Sequence, residues 1–210
     1  MAYVELVSAE EVMDEMGLNQ DLMDAAIPSF KGAIQRATVM IQSMLDSSLV
    51  RKTGYDLFYL DPLTCGEPLA GLFRLRLSSG FLSANAVVSV ADTLQSGFTP
   101  LSLITVDKGK GWVSVAEKST VRDTLVGKYI KVAYSCGFAD KTTLPMDVRH
   151  ALICHVPLLT LSTGSTEPDQ VSARESKGKA LLKVAEDLVQ SRSRVWGASI
   201  KPIFTTLAAL

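Results

Sequence analysis

Hydrophobic positions recur at steps of three and four over the first 49 residues, alternate with polar ones between residues 54 and 137, and return to helical spacing after Pro145. Ser8-Ala9-Glu10-Glu11 has capping-box spacing: the Ser8 hydroxyl can accept from the Glu11 amide while the Glu11 carboxylate reaches back to the Ser8 amide. A short helix is therefore expected from there to about Met16, with Gly17 as its stop. A longer helix is expected over residues 28–49, opened by Pro28, with Phe30, Ala33, Ile34, Ala37, Ile41, Met44 and Leu45 forming one apolar stripe that faces a core.

The alternating region divides into strands at residues 56–60, 72–77, 86–90, 101–106, 112–116 and 129–134, punctuated by Gly, Pro, Asn and Ser. Arg74 and Arg76 alternate with Phe73, Leu75 and Leu77, which predicts one wet face on that strand. Val106-Asp107-Lys108-Gly109-Lys110-Gly111-Trp112 reads as a hairpin turn, because its glycines can supply positive φ. Beyond Pro145, Val148, Ala151, Leu152 and His155 or Val156 share one helical side, and Pro157 is expected to kink or end that helix at its missing amide. A polar loop over 162–170 leads to a last expected helix at about 176–191.

The stretch 195–210 is different. Trp196, Ile200, Ile203, Phe204, Leu207 and Leu210 are apolar, while Gly197, Pro202 and two threonines oppose a long helix, so an extended segment is expected. It either packs on its own domain as a terminal strand or docks on another protein. The resulting class is α+β: N-terminal helices (1–53), an inserted antiparallel β-unit (54–137), C-terminal helices of the same body (138–194) and an extended tail (195–210), in a single domain.

With 21 basic and 22 acidic side chains the chain carries no basic excess of the kind a nucleic-acid binder shows. Its longest apolar runs fall short of the roughly 20 residues a membrane span needs, and no secretory signal pattern stands at Met1 to Leu6. Cys65, Cys136 and Cys154 are an odd set at irregular spacing, which fits a reducing compartment, and Cys136 and Cys154 sit among apolar residues as buried small hydrophobes do.

Catalytic motifs are incomplete wherever they begin. Ser176-Lys177-Gly178-Lys179 and Lys52-Thr53-Gly54 have the S-x-x-K and K-T-G form of penicillin-recognising enzymes, but in reversed order and with no S-D-N between them. Lys108-Gly109-Lys110-Gly111 and Gly164-Ser165-Thr166 are too short for a phosphate loop. His150 and Cys154 share a helical face at metal-ligand spacing, yet two ligands do not make a site. Glu10, Glu11, Asp14 and Glu15 read as a solvated helix face. No catalytic residue, metal or cofactor is expected.

The strand 127–138, which ends Tyr134-Ser135-Cys136-Gly137-Phe138, passes through a polar loop into Leu144-Pro145-Met146-Asp147-Val148-Arg149-His150-Ala151-Leu152. This Tyr-x-x-Gly-aromatic, Leu-Pro-x-Asp-Val-Arg-x-Ala-Leu order resembles the head-tail adaptor (connector) family of tailed bacteriophages, and the order of elements over most of the chain is similar too. The resemblance implies a structural virion protein at the head-tail junction, assembled in the host cytoplasm. It implies a ring of copies of itself, by family analogy a dodecamer. It implies a portal protein on one side, a tail-side neck or tail-completion protein on the other, and DNA passing through without specific binding. It also implies that the tail lodges against the portal, with Trp196, Ile200, Pro202, Ile203 and Phe204 as contact residues. The β-insertion is larger than in the shortest members. A tail-terminator or stopper-like neck protein shares these features, and a small hydrolase or ligand-binding domain is the reading from a different class.

Overall fold

The computed structural model describes residues 6–16, 23–61, 72–102, 104–116, 125–160, 183 and 200–209. The expected helix over 176–191, apart from residue 183, and Trp196 therefore lie outside the described residues. The chain divides into two compact units, each built from two separate stretches: Met1–Leu45 with Ala139–Ser193, and Asp46–Phe138 with Arg194–Leu210. The architecture is α+β, and the C-terminal stretch groups with the β-unit.

The first unit contains α1 (Ala9–Met16) and α2 (Met23–Leu45). The capping box forms as spaced: the Ser8 amide donates to Glu11 Oε2 at 3.1 Å and the Glu11 amide donates to Ser8 Oγ at 3.3 Å. Phe30, Ala33, Ile34, Ala37, Ile41 and Leu45 are buried as the stripe requires, whereas Met44, in the last turn, stays exposed. Helix α2 starts upstream of Pro28, which lies inside it. Proline's fixed φ is helical and its missing amide removes a single backbone bond close to the helix start, so about one more turn can precede it. The helix stops at Leu45 instead of running to residue 49, because Asp46 takes φ 50°, a left-handed turn that an aspartate tolerates.

Among its described residues the second unit holds eight strands: β1 (Lys52–Tyr59), β2 (Leu72–Arg76), β3 (Val87–Ala91), β4 (Thr99–Pro100), β5 (Ile104–Asp107), β6 (Trp112–Ala116), β7 (Tyr129–Cys136) and β8 (Phe204–Ala209). They form two antiparallel sheets, β4-β3-β7-β1-β8 and β2-β6-β5. Along β7 burial alternates residue by residue, turning Ile130, Val132, Tyr134 and Cys136 inward. These pack with Phe58, Leu60, Leu75, Leu77, Val88 and Val113 into the unit's core.

The β5–β6 hairpin turns where its glycines stand: the Gly111 amide donates to the Asp107 carbonyl at 2.9 Å with φ 65° at Gly111, and the Lys110 amide donates to Asp107 Oδ1 at 3.0 Å. The expected wet face of β2 is only half wet. Arg74 is exposed, but Arg76 is buried, and its guanidinium forms an ion pair with Asp46 that makes the burial tolerable.

A further helix, α3 (Met146–Thr160), belongs to the first unit. Pro145 caps it, its carbonyl accepting from the Arg149 amide at 2.9 Å. Val148, Ala151, Leu152, His155 and Val156 are all buried. Pro157 does not end the helix, which continues to Thr160; a proline so near the C-terminus forfeits one bond in a stretch where the backbone ladder is already running out. Glu11 gains a second duty here, since its Oε1 accepts from Lys141 Nζ at 3.3 Å and from Arg149 Nη2.

Burial pushes the Glu11 carboxyl up, but the Ser8 amide, Arg149 and Lys141 outweigh it and hold the group below its ordinary value of 4.5. A carboxylate with a lowered pKa stabilises the fold fully above its unfolded value and loses that contribution as pH falls through the folded one. Glu11→Gln should therefore flatten the loss of stability on acidification below that value, as read by thermal melts across pH. Gly54 supplies a second test. A Cβ there would stand 1.7 Å from the Thr206 carbonyl oxygen and 3.0 Å from Leu207 Cα, so the close approach of β8 to β1 requires glycine. Gly54→Ala should destabilise this unit by about 1–3 kcal/mol, in the range of overpacking, and should accelerate amide exchange in β8 selectively.

Candidate functional site

Asp56 is fully buried in the middle of β1, paired across to Val132 on β7 and to Thr205 on β8. A carboxylate in such a position must find donors or a counter-charge. It finds four donors. Oδ2 accepts from the Ser78 amide at 2.6 Å and from the Tyr134 hydroxyl at 2.8 Å, while Oδ1 accepts from Ser78 Oγ at 2.8 Å and Thr205 Oγ1 at 2.7 Å. Ser78 Oγ and Thr205 Oγ1 are themselves 2.6 Å apart. Burial first, and then the neighbouring Asp56 charge, push the Tyr134 phenol up, so it stays protonated and acts as a donor. The cluster ties β1, β7, the turn after β2 and the C-terminal strand to one another. With the carboxylate enclosed and every oxygen engaged, its chemistry is structural.

The residues expected to contact a partner have different fates in this unit. Ile200 forms a parallel bridge with Leu75, exchanging bonds with Arg74 and Arg76 at 3.0 Å each, and packs against the core. Pro202 is half-buried. Ile203 donates its amide to the Leu57 carbonyl at 2.7 Å yet remains 58% exposed, and Phe204 opens β8 at 53% exposed. The strand pairing thus holds both apolar side chains at the surface in a fixed position. Phe204 is flanked on the same face by Tyr55, the ring centroids 6.2 Å apart. Lys131 lies 4.3 Å from the Tyr55 ring centre and 5.7 Å from that of Phe98. Tyr59 and Tyr129 stack at 4.9 Å further along. This aromatic face of the five-stranded sheet, with Ile203 at its margin, is the candidate docking surface.

A cleft of about 330 Å³ is lined by Asp46, Arg76, Leu77, Ser78, Lys201 and Pro202. Asp46 and Arg76 pair across it, and the Ser78 hydroxyl in its lining is engaged by the Asp56 carboxylate. In the first unit, His150 Nε2 and Cys154 Sγ do meet, at 3.5 Å. Burial, with a contribution from Glu15, pushes the Cys154 thiol up to about 11, away from the thiolate a metal would need. Among the described residues no group of three His, Cys, Asp or Glu could hold a metal ion. Lys52-Thr53-Gly54 is strand β1, while Ser176-Lys177-Gly178-Lys179 and Cys65 lie outside the described residues.

Sequence reasoning missed Asp56, Ser78 and Thr205 as a set. The readable signal was a lone aspartate in a strand whose neighbours Leu57 and Phe58 are apolar; its partner Thr205 stands 149 residues away. Asp56→Ala should destabilise this unit by about 3 kcal/mol or more, since several buried donors lose their acceptor at about 1–3 kcal/mol each. Thr205→Val should cost less, about 1–2 kcal/mol for one bond, and should loosen β8 ahead of the rest. Urea melts combined with residue-level amide exchange measure both. An Asp56→Ala protein that melts like the parent would remove the cluster's structural role.

The sequence matches no protein-family model and no curated protein. Solved structures of gene transfer agent particles contain chains of the same fold. One is in the neck of an empty gene transfer agent (GTA) particle computed with C6 symmetry: TM-score 0.52, 14% identity, 94% of this chain and 95% of that chain covered. Another is in the virion of a native GTA particle, with a TM-score of 0.54 and 13% identity over the same shares of both chains. The fold of this protein is therefore one found in gene-transfer-agent neck and virion particles.

Proposed function

We propose that this chain is a structural subunit of the neck of a tailed-phage-like particle. It acts there as a head-tail adaptor: copies of it form a ring against the portal and continue the DNA channel towards the tail. The observation that carries this reading is the fold shared over 94% of the chain with a chain of a GTA neck. The near balance of 21 basic and 22 acidic side chains is in keeping with it, because a conduit lined with cations would hold DNA at every phosphate it met. A closed ring needs two different complementary patches on each copy. The role is architectural, without catalysis, cofactor or metal.

In this reading the portal-facing contacts are Pro202, Ile203 and Phe204, held outward by the pairing of β8 with β1, together with Trp196. Ile200 supports them from within, being already packed on the core. Residues that dock in this way bury side chains worth about 1.5–3 kcal/mol each before ordering costs, and a ring repeats that contact in every copy. The test is genetic and visual. A particle-producing strain lacking this chain should accumulate heads without tails, and reconstruction of complete particles should place the chain between portal and tail. Tails of abnormal length on otherwise normal heads would point to a tail terminator instead. Replacing Ile203 and Phe204 together with serine should lower recovery of the chain on heads at least about ten-fold, by the loss of two buried anchors, while leaving the melting temperature of the free protein nearly unchanged.

A further inference from the structure

The two edges of the five-stranded sheet are built in opposite ways. At one end stands β4, two residues long and containing Pro100, whose missing amide and short reach discourage further pairing. At the other end stands β8, Phe204-Thr205-Thr206-Leu207-Ala208-Ala209, six residues without a charge, a proline or a glycine. Every one of them except Leu207 is exposed, and among the described residues no strand pairs with its outer side. Soluble proteins protect long edges with lysines, prolines, bulges or covering loops, and β8 itself has no lysine or proline, while among the described residues no loop or strand pairs with its outer side. It is also held rigidly. Asp56 and Ser78 bind Thr205, and Gly54 admits the strand at a distance no other residue would allow.

We propose that the outer edge of β8 receives an extended, uncharged strand from a different protein of the neck, adding a sixth strand to the sheet. This deepens the neck reading and rests on it. Backbone groups would supply the bonding, as in other strand additions, and the row of Phe204, Thr206 and Ala208 on one face of β8 asks for apolar or β-branched residues opposite. A second copy is the poorer occupant for two reasons. Two β8 edges pairing with each other are related by a twofold axis, which closes after two copies and cannot build a ring. Six residues also present only about 20 Å of edge, and a lone strand pair falls well short of the roughly 1,000 Å² a stable dimer buries. A partner that is itself a ring escapes the second limit, because the small contact recurs in each copy and the attachments reinforce one another.

The test compares amide exchange of residues 204–209 in the isolated full chain and in purified particles, alongside a Thr206→Lys, Ala208→Lys double variant that gives the edge the lysines it lacks. Strand addition predicts exchange in the particle slower by at least about ten-fold at outward-facing β8 amides. It also predicts a variant that melts like the parent but is recovered on heads at least about ten-fold less. Unchanged β8 exchange in particles that contain the chain, or full incorporation of the variant, overturns the proposal while the neck reading stands. Absence of the chain from particles overturns the neck reading and the proposal with it. A dimer of the isolated chain that the two lysines abolish would make a second copy the occupant, and that too overturns the proposal.

Discussion

A carboxylate taken out of water into an apolar sheet must be met on both oxygens, and at Asp56 this requirement organises the β-unit. Its donors come from three other places along the chain: Ser78, Tyr134 and Thr205. Among the described residues no cation pairs with the carboxylate, and the cluster needs the surrounding strands to arrive in one register. A one-residue slip of β8 would turn Thr205 outward and leave one carboxylate oxygen short of a donor. Apolar residues at these positions would pack as well but would tolerate alternative pairings, so the cluster contributes specificity where the core contributes bulk stability.

That register has a visible effect at the surface. Because Thr205 is pinned, Phe204 falls on the opposite face of the sheet beside Tyr55, and Ile203 sits at the margin with its amide held by Leu57. Two large apolar side chains thus stay exposed without being mobile, which lowers the entropy a partner must remove on docking. Strand pairing and partner contact are therefore compatible roles for the same C-terminal stretch, with Ile200 facing the core and Ile203 and Phe204 facing out.

Local rules were enough to read much of this architecture from the amino-acid order. The Ser8–Glu11 box, the stripe on α2 apart from Met44, the buried side of α3 and the turn at Gly111 follow from local spacing, and each formed as spaced. Strands β1 to β7, apart from the two-residue β4, announced themselves by alternation between turn residues. The departures have separate causes. Pro28 and Pro157 sit within helices because each lies near a helix end, where a single backbone bond is lost, and Arg76 is buried because Asp46 neutralises it from across the chain. The pairing of β8 with β1 was one of two open readings, since nothing near Phe204 names a strand 149 residues upstream of its neighbour Thr205.

The same separation has a consequence in time. Asp56 is synthesised long before Thr205, and at about 5–20 residues per second the ribosome needs on the order of ten seconds to cover the interval. Throughout that window β1 lacks one of its two neighbours and the carboxylate lacks one of its donors. A strand that ends up inside the sheet is then, for a while, an edge. Completion of the unit is a late, long-range step with a loop-closure cost, and until the C-terminal residues come to rest beside β1 that strand stays open to pairing with another chain.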